Sequence, residues 1–314
     1  MTVAAGGLID LTGDRRRLRR ERRVRAGFWL AGLSSLGISI AIVLSLLGNS
    51  IEFLNNTPLD KLWTLDKWAP RIGKFDIATL FVGSLLVTGV AMLIAAPLGL
   101  GAAIYLAEYA KPRVRQIAKP ILEVMAGIPS IVIGFFAVAW IGPNIVQNLF
   151  ANADAFSLAA AGIGVGLLVT PIVASVSEDA MRAVPAALRE ASYGLGARRI
   201  TTVTKIVMPA AVSGIVAAMI LAASRAIGET MIVALAGGAF GEASYTTKIT
   251  DVGLVITSAM ASLATGTDQV AGGGGSGAGQ AFNSLFFLGL LLFGITMLLN
   301  LVGDFFVRRI RERY

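Results

Sequence analysis

The fold is decided by the stretch from Ile77 to Leu106, which reads IATLFVGSLLVTGVAMLIAAPLGLGAAIYL and contains no Asp, Glu, Lys or Arg. A helix of about 20 apolar residues crosses the hydrocarbon core of a bilayer, so this stretch predicts a membrane span. Apolar runs before and after it predict five more. The six expected spans are residues 26–48, 77–106, 121–142, 156–177, 210–236 and 283–307.

The composition points the same way. Of the 314 residues, 55% are hydrophobic and 15% are charged, whereas soluble domains carry about 25% charged residues. The chain is therefore expected to be an all-α membrane protein with six transmembrane helices. It contains no Cys and no His, which excludes thiol chemistry, disulfide bonds and the usual general base. We expect no catalytic residues and no metal site, so the chain is not expected to be an enzyme.

The basic residues are concentrated on alternate connections between the expected spans. The chain has 27 Lys and Arg residues, and 21 of them lie in residues 1–25, 107–120, 178–209 and the tail after Val307. The connections on the other side hold 5. Lys and Arg accumulate in cytoplasmic loops, so both termini are predicted to be cytoplasmic, with the chain in the cytoplasmic membrane.

The same pattern divides the chain along its length. The first apolar run is too long for the core of a signal peptide and has no evident cleavage site, so it is expected to be a retained span. The expected parts are a basic cytoplasmic arm (1–25), a first helix with an external loop (26–76), a core of five helices (77–307) that contains the internal loop 178–209, and a cytoplasmic tail (308–314).

Two glycine patterns bear on nucleotide binding. The stretch from Gly272 to Gly279 contains a formal G-x-G-x-x-G, but no strand precedes it and its composition is that of a flexible linker. The phosphate-binding motif G-x-x-x-x-G-K-[ST] does not occur, because Phe75 follows the only Gly-Lys pair. We therefore expect no cofactor in this chain and no ATP bound by that motif.

The segment from Glu190 to Pro209 reads EASYGLGARRITTVTKIVMP. Pro185 can open a helix before it, and Gly194 or Gly196 can end that helix in a left-handed conformation. At helical spacing, Leu188, Ala191 and Leu195 share one face. A short amphipathic helix of this kind suits insertion into a groove on a partner protein.

This segment resembles the EAA loop of the permease subunits of ABC importers, whose pattern is E-A-A, three residues, G, nine residues, I, one residue and L-P. Ser192 and Met208 depart mildly from it. The resemblance implies the type I permease fold of ABC importers and a separate ATPase that binds and hydrolyses ATP. It also implies that the residues coupling the chain to the ATPase are Glu190, Ala191, Ser192, Gly196 and Pro209.

Two further stretches are similar to the PstC-type permease of the bacterial phosphate importer. They are EVMAGIPSIVIGFF from Glu123 to Phe136 and RAIGETMIV from Arg225 to Val233. The second is the more specific, and it implies a substrate path that contains Arg225, Glu229 and Thr230. Arg225 is the only basic residue inside an expected span, and Glu229 follows it by one helical turn. From spacing alone, this pair could equally be a structural lock.

The resemblance begins near residue 75 and continues to the end of the chain. It implies three partners: an ABC ATPase dimer (PstB-like), a second permease (PstA-like) and an external phosphate-binding protein (PstS-like). The alternatives are a permease for another oxyanion such as sulfate, molybdate or phosphonate, a transporter or channel that works without ATP, and a membrane scaffold that senses an importer's state.

Overall fold

The computed structural model describes residues 15–150, 152–266 and 278–311. The basic arm before residue 15, the tail after residue 311 and the glycine-rich residues 272–277 therefore lie outside the described residues. The chain divides into two compact units, Met1–Gly48 and Asn49–Tyr314. The described part of the first unit is helical, and the same helix continues into the second unit.

Six of the described helices are long and apolar enough to cross a membrane, which confirms the expected number of spans. In chain order the main helices are α1 Arg15–Asn56, α2 Ile77–Tyr109, α3 Pro112–Ala126, α4 Ser130–Leu149, α5 Leu158–Arg182, α6 Ala186–Gly194, α7 Arg199–Ile227, α8 Met231–Ala236, α9 Ile256–Ala264 and α10 Ala278–Arg311. The six spans are α1, α2, α4, α5, α7 and α10. Two single turns of 3-10 helix, Leu59–Leu62 and Pro70–Ile72, lie between α1 and α2.

The predicted start of the third span is wrong. That span was expected at residues 121–142, but α3 ends at Ala126 and α4 begins at Ser130. The break follows from Gly127 and Pro129, because proline disfavours a helical residue before it and favours a new helix start. α3 is amphipathic and has no buried residue, so it is a separate helix between two spans.

The fifth span also differs from its expected range of 210–236. α7 begins at Arg199 and ends at Ile227, and α8 follows only after a break at residues 228–230. The internal loop expected at 178–209 is consequently shorter, and Pro209 lies inside α7. A wide helical turn precedes it, in which the Met208 N–H donates to the Val203 carbonyl, and such a turn accommodates a proline.

The core of the second unit is the close pair α2 and α5. A Cβ at Gly162 would lie 2.6 Å from the Cβ of Val90, and one at Gly166 would lie 2.9 Å from the Ala91 carbonyl oxygen. These glycines therefore allow the two backbones to approach, as their spacing of four residues predicts. α4, α7 and α8 contribute to the same apolar core.

At one end of the bundle, which we call the sheet end, three short strands form an antiparallel sheet. β1 Lys67–Ala69 lies between β2 Lys74–Phe75 and β3 Ala243–Ser244. Trp68 and Phe75 are buried while the lysines beside them are more exposed, as expected for alternating side chains on a strand. The expected external loop therefore contains two of the three strands. The other end, which carries α6, is the loop end.

Candidate functional site

The first part of the site is α6, the short helix that the EAA resemblance singles out. It ends as predicted, with Gly196 in the left-handed conformation at φ 77°. The Ala197 N–H donates to the Ser192 carbonyl at 3.1 Å, and the Gly196 N–H donates to the Tyr193 carbonyl at 2.9 Å. This pair of bonds satisfies the last carbonyls of the helix and turns the chain towards α7.

One face of α6 is open. Leu188 is 45% exposed and Leu195 is 90% exposed, and Glu190 and Ala191 are also exposed. Exposed leucines beside a glutamate on a short helix are typical of a surface that binds another protein. Of the five predicted coupling residues, the described structure therefore places Glu190, Ala191 and Gly196 on the surface.

Ser192 and Pro209 lie elsewhere. Ser192 is buried, and its hydroxyl lies 2.9 Å from the hydroxyl of Thr202, which is fully buried at the start of α7. The contact gives the serine that replaces the usual alanine a polar partner. Pro209 is half-buried in α7. Ser192 therefore joins α6 to α7, and neither residue belongs to the exposed surface of α6.

A buried ion pair fastens α6 to the ends of two spans. The Arg189 Nε and Nη2 donate to Glu108 Oε1 at 3.1 and 3.0 Å. The same guanidinium donates to the carbonyls of Val184 and Met181, both at 2.7 Å. The Glu108 side chain is 4% exposed. The loop helix is thus joined to α2 and to the end of α5 by one side chain.

A second charged cluster joins α3 to α5. The Glu178 side chain is 0% exposed, and its two carboxylate oxygens lie 2.8 Å from Arg115 Nη2 and 2.8 Å from Lys119 Nζ. Asp179 also pairs with Lys119. Burial acts to lower the pKa of Lys119, but the hydrogen bonds to Asp179 and Glu178 outweigh it and raise that pKa above the ordinary value. The ammonium therefore stays charged at neutral pH.

The other part of the site is the break after α7. Arg225 lies in the last turn of α7 and is exposed, whereas Glu229 is 6% exposed. The Glu229 carboxylate accepts the Met231 N–H at 3.2 Å, and its backbone carbonyl accepts the Thr257 hydroxyl at 2.7 Å. Thr230 is half-buried, and its hydroxyl lies 3.4 Å from the Gly228 carbonyl oxygen.

The ion pair between Arg225 and Glu229 that the spacing predicts is not formed. The pairing assumed a helix that continues through both residues, but α7 ends at Ile227, so Glu229 turns towards α8 instead. No carboxylate of the described residues forms an ion pair with Arg225. The structure brings the three residues together at a broken span, which is where membrane transporters commonly bind substrates.

Sequence reasoning missed the two charged clusters. Glu108 and Arg189 are 81 residues apart, and Lys119 and Glu178 are 59 apart, so no local pattern connects them. The sequence did contain one signal, because acidic residues are scarce in and beside the spans. A carboxylate at the end of an apolar span is costly unless a cation pairs with it. That signal indicates a partner without identifying it.

The fold and the exposed loop helix together define a membrane-spanning permease of the ABC importer class. A family model described as binding-protein-dependent transport system inner membrane component matches residues 95–314. The chain belongs to this family, which confirms the family resemblance of the EAA loop.

Individual relatives agree with this assignment. The chain is 35% identical over 204 residues to a probable ABC transporter permease protein, YqgH, of Bacillus subtilis, with 64% of this chain and 65% of the relative covered. It is 28% identical over 321 residues to the phosphate transport system permease protein PstC 1 of Mycobacterium tuberculosis, with 90% and 92% covered. A solved amino acid ABC transporter with histidines matches at a TM-score of 0.51 and 18% identity over 74% of this chain and 93% of that one, which supports the fold.

Proposed function

We propose that this chain is a permease subunit of an ABC importer that translocates inorganic phosphate across the cytoplasmic membrane. The observation that carries the proposal is the stretch from Arg225 to Val233, which resembles the corresponding stretch of phosphate permeases and lies at the broken fifth span. Relatives named phosphate transport system permease PstC, aligned over about nine-tenths of the chain, support the same substrate.

Arg225 is the residue proposed to contact the anion. A cation within a span costs about 2.5–3.5 kcal/mol on insertion scales, so it persists only where it is paired or faces a cavity. Arg225 is exposed in the isolated chain and has no ion-pair partner among the described residues. Its guanidinium is therefore accessible to an anionic ligand or to a second subunit. A planar guanidinium also matches the geometry of phosphate oxygens better than an ammonium does.

The energy for transport is proposed to come from a separate ATPase dimer, so this chain is non-catalytic and ATP is bound by the partner. The exposed residues of α6, among them Leu188 and Glu190, together with Leu195 directly after it, form the proposed docking surface. Movement of the ATPase would shift α6 and, with it, the spans that α6 contacts. A second PstA-like permease and an external PstS-like binding protein complete the proposed importer.

The proposed orientation places the loop end and both termini in the cytoplasm, because 21 of the 27 Lys and Arg residues belong to that side. Reporter fusions after Lys119 and Arg199 should then give cytoplasmic signals, whereas a fusion at Lys61 should give an external one. An external signal at Arg199 would contradict the docking proposal as well, because no cytoplasmic ATPase could reach α6.

The substrate is tested in vesicles that contain the permease pair and the ATPase, supplied with the binding protein on the external side. Uptake of labelled phosphate should require ATP inside and should resist competition by a large excess of sulfate or molybdate. Uptake without ATP would identify an ATP-independent transporter. Stronger uptake of sulfate, molybdate or phosphonate than of phosphate would place the chain among permeases for that oxyanion.

A further inference from the structure

We propose that Arg189 is a positioning residue that makes α2 and α5 follow the movement of α6. This inference rests on the proposed function, because it assigns the route by which motion of a docked ATPase reaches the spans. Arg189 precedes the predicted coupling residues in the sequence, and nothing in the EAA pattern assigns a role to it.

The geometry of the contact supports this role. All three guanidinium nitrogens of Arg189 are used: Nε and Nη2 bind Glu108 on α2, Nη1 binds the Val184 carbonyl, and Nη2 also binds the Met181 carbonyl on α5. The Arg189 side chain is only 19% exposed. A residue that holds two different elements through one rigid planar group transmits displacement between them.

The other contacts of α6 show why Arg189 is the residue proposed to link this helix to α2 and α5. Among the described side chains of α6, Ser192 and Arg189 make polar contacts with other elements. Ser192 reaches Thr202 on α7, which continues directly from the loop. Arg189 is therefore the polar connection from α6 to the spans that form the central pair of the bundle.

The contacts with two backbone carbonyls also fix the orientation of the Arg189 guanidinium. Met181 lies in the last turn of α5 and Val184 follows the end of that helix, where carbonyls that no longer have regular helical partners can accept side-chain donors. Arg189 donates to these carbonyls while it neutralises a buried carboxylate. A lysine carries the same charge but has a single nitrogen, so it cannot hold Glu108 and both carbonyls in the same geometry.

The test uses the complete importer in vesicles and compares phosphate uptake per ATP hydrolysed. Arg189→Gln should keep the ATPase bound but lower this ratio roughly tenfold, within the usual range of coupling effects. Arg189→Lys should give an intermediate ratio. Arg113→Gln is the matched control, because Arg113 is exposed on α3 at the same end, and its ratio should equal that of the unmodified protein.

Hydrogen exchange on the purified permease provides a readout that does not depend on transport. Arg189→Gln should speed exchange in residues 186–194 and around Glu108 at the end of α2, whereas the Arg113→Gln control should exchange like the unmodified protein. If the unmodified importer fails to take up phosphate, the substrate assignment is wrong, and the exchange result still decides whether Arg189 holds α6.

Three results would overturn the role of Arg189. One is an unchanged uptake per ATP in an abundant Arg189→Gln importer. Another is loss of the bound ATPase, because Arg189 would then belong to the docking surface. If Arg189→Gln does not reach the membrane, Arg189→Lys decides, and a normal ratio in that variant would refute the proposal.

Discussion

At the loop end of the bundle buried ion pairs join the elements in addition to an apolar cluster, whereas at the sheet end the strands are joined mainly by apolar side chains and backbone hydrogen bonds. Glu108 with Arg189 and Glu178 with Arg115 and Lys119 make the loop-end contacts. Trp68 packs edge-to-face with Phe75 at the sheet end, between strands joined by main-chain bonds. The two ends therefore differ in the kind of interaction that would have to break during movement.

This difference indicates which end can rearrange. Charged groups that separate can regain hydrogen bonds from water or from a second protein, whereas separating a packed apolar cluster exposes its whole surface. Asp76 strengthens the sheet end further, because its buried carboxylate accepts the N–H groups of Thr64, Leu65 and Thr79. We infer that the sheet end is the more rigid and that the helices rearrange first at the loop end.

The largest expected effect is at the sheet end. Trp68 is 0% exposed, so Trp68→Ala should lower the free energy of unfolding by about 3–5 kcal/mol, as is usual when a large aromatic side chain is removed from a core. Trp63→Ala is the matched control, because Trp63 is 57% exposed, and it should cost far less. Denaturant titration of both purified variants measures the difference, and equal losses would show that the sheet end is not tightly packed.

The next effect is at the loop end. Glu178→Gln should lower the free energy of unfolding by about 1.5–3 kcal/mol, because Arg115 and Lys119 would lose the charge that their buried contacts require. The control is Asp179→Asn, whose side chain is 62% exposed and should cost about 1 kcal/mol or less. A smaller loss for Glu178→Gln than for Asp179→Asn would contradict the view that buried ion pairs hold this end.

A smaller effect separates the two glycines at the end of α6. A Cβ at either Gly194 or Gly196 would meet nothing within 4 Å, but only Gly196 has a positive φ. Gly196→Ala should therefore cost about 1–2 kcal/mol of local stability, which hydrogen exchange in α6 can measure. Gly194→Ala should be neutral or slightly stabilising, because alanine favours a helix. Equal exchange in the two variants would remove the special role of Gly196.

The pH dependence of the Lys119 cluster follows from the direction of its pKa shift. A lysine whose pKa is raised on folding stabilises the protein fully below its ordinary pKa of 10.5, and this contribution is lost as the pH rises through the raised value. The contribution of Lys119 is accordingly constant across the neutral range.

Much of the fold was predictable because its signals are local. Apolar runs of sufficient length predicted six spans, and Gly196 was one of two candidates for the left-handed end of α6. The break at residues 228–230 was missed because Gly228 lies in an apolar run without proline, and the continuous helix that was assumed led to the wrong pairing of Arg225 with Glu229. The ion pairs at the loop end depend on the packing of distant spans.

The most direct test of the account is phosphate uptake by Arg225 variants of the assembled importer, with the amount of protein in the membrane measured in parallel. Arg225→Gln should abolish uptake at normal abundance, because Arg225 is exposed and has no ion pair to lose within the described residues. Arg225→Lys should be impaired, since an ammonium lacks the planar fork, and Lys205→Gln on the same helix should transport normally. Normal phosphate uptake by an abundant Arg225→Gln importer would contradict the account.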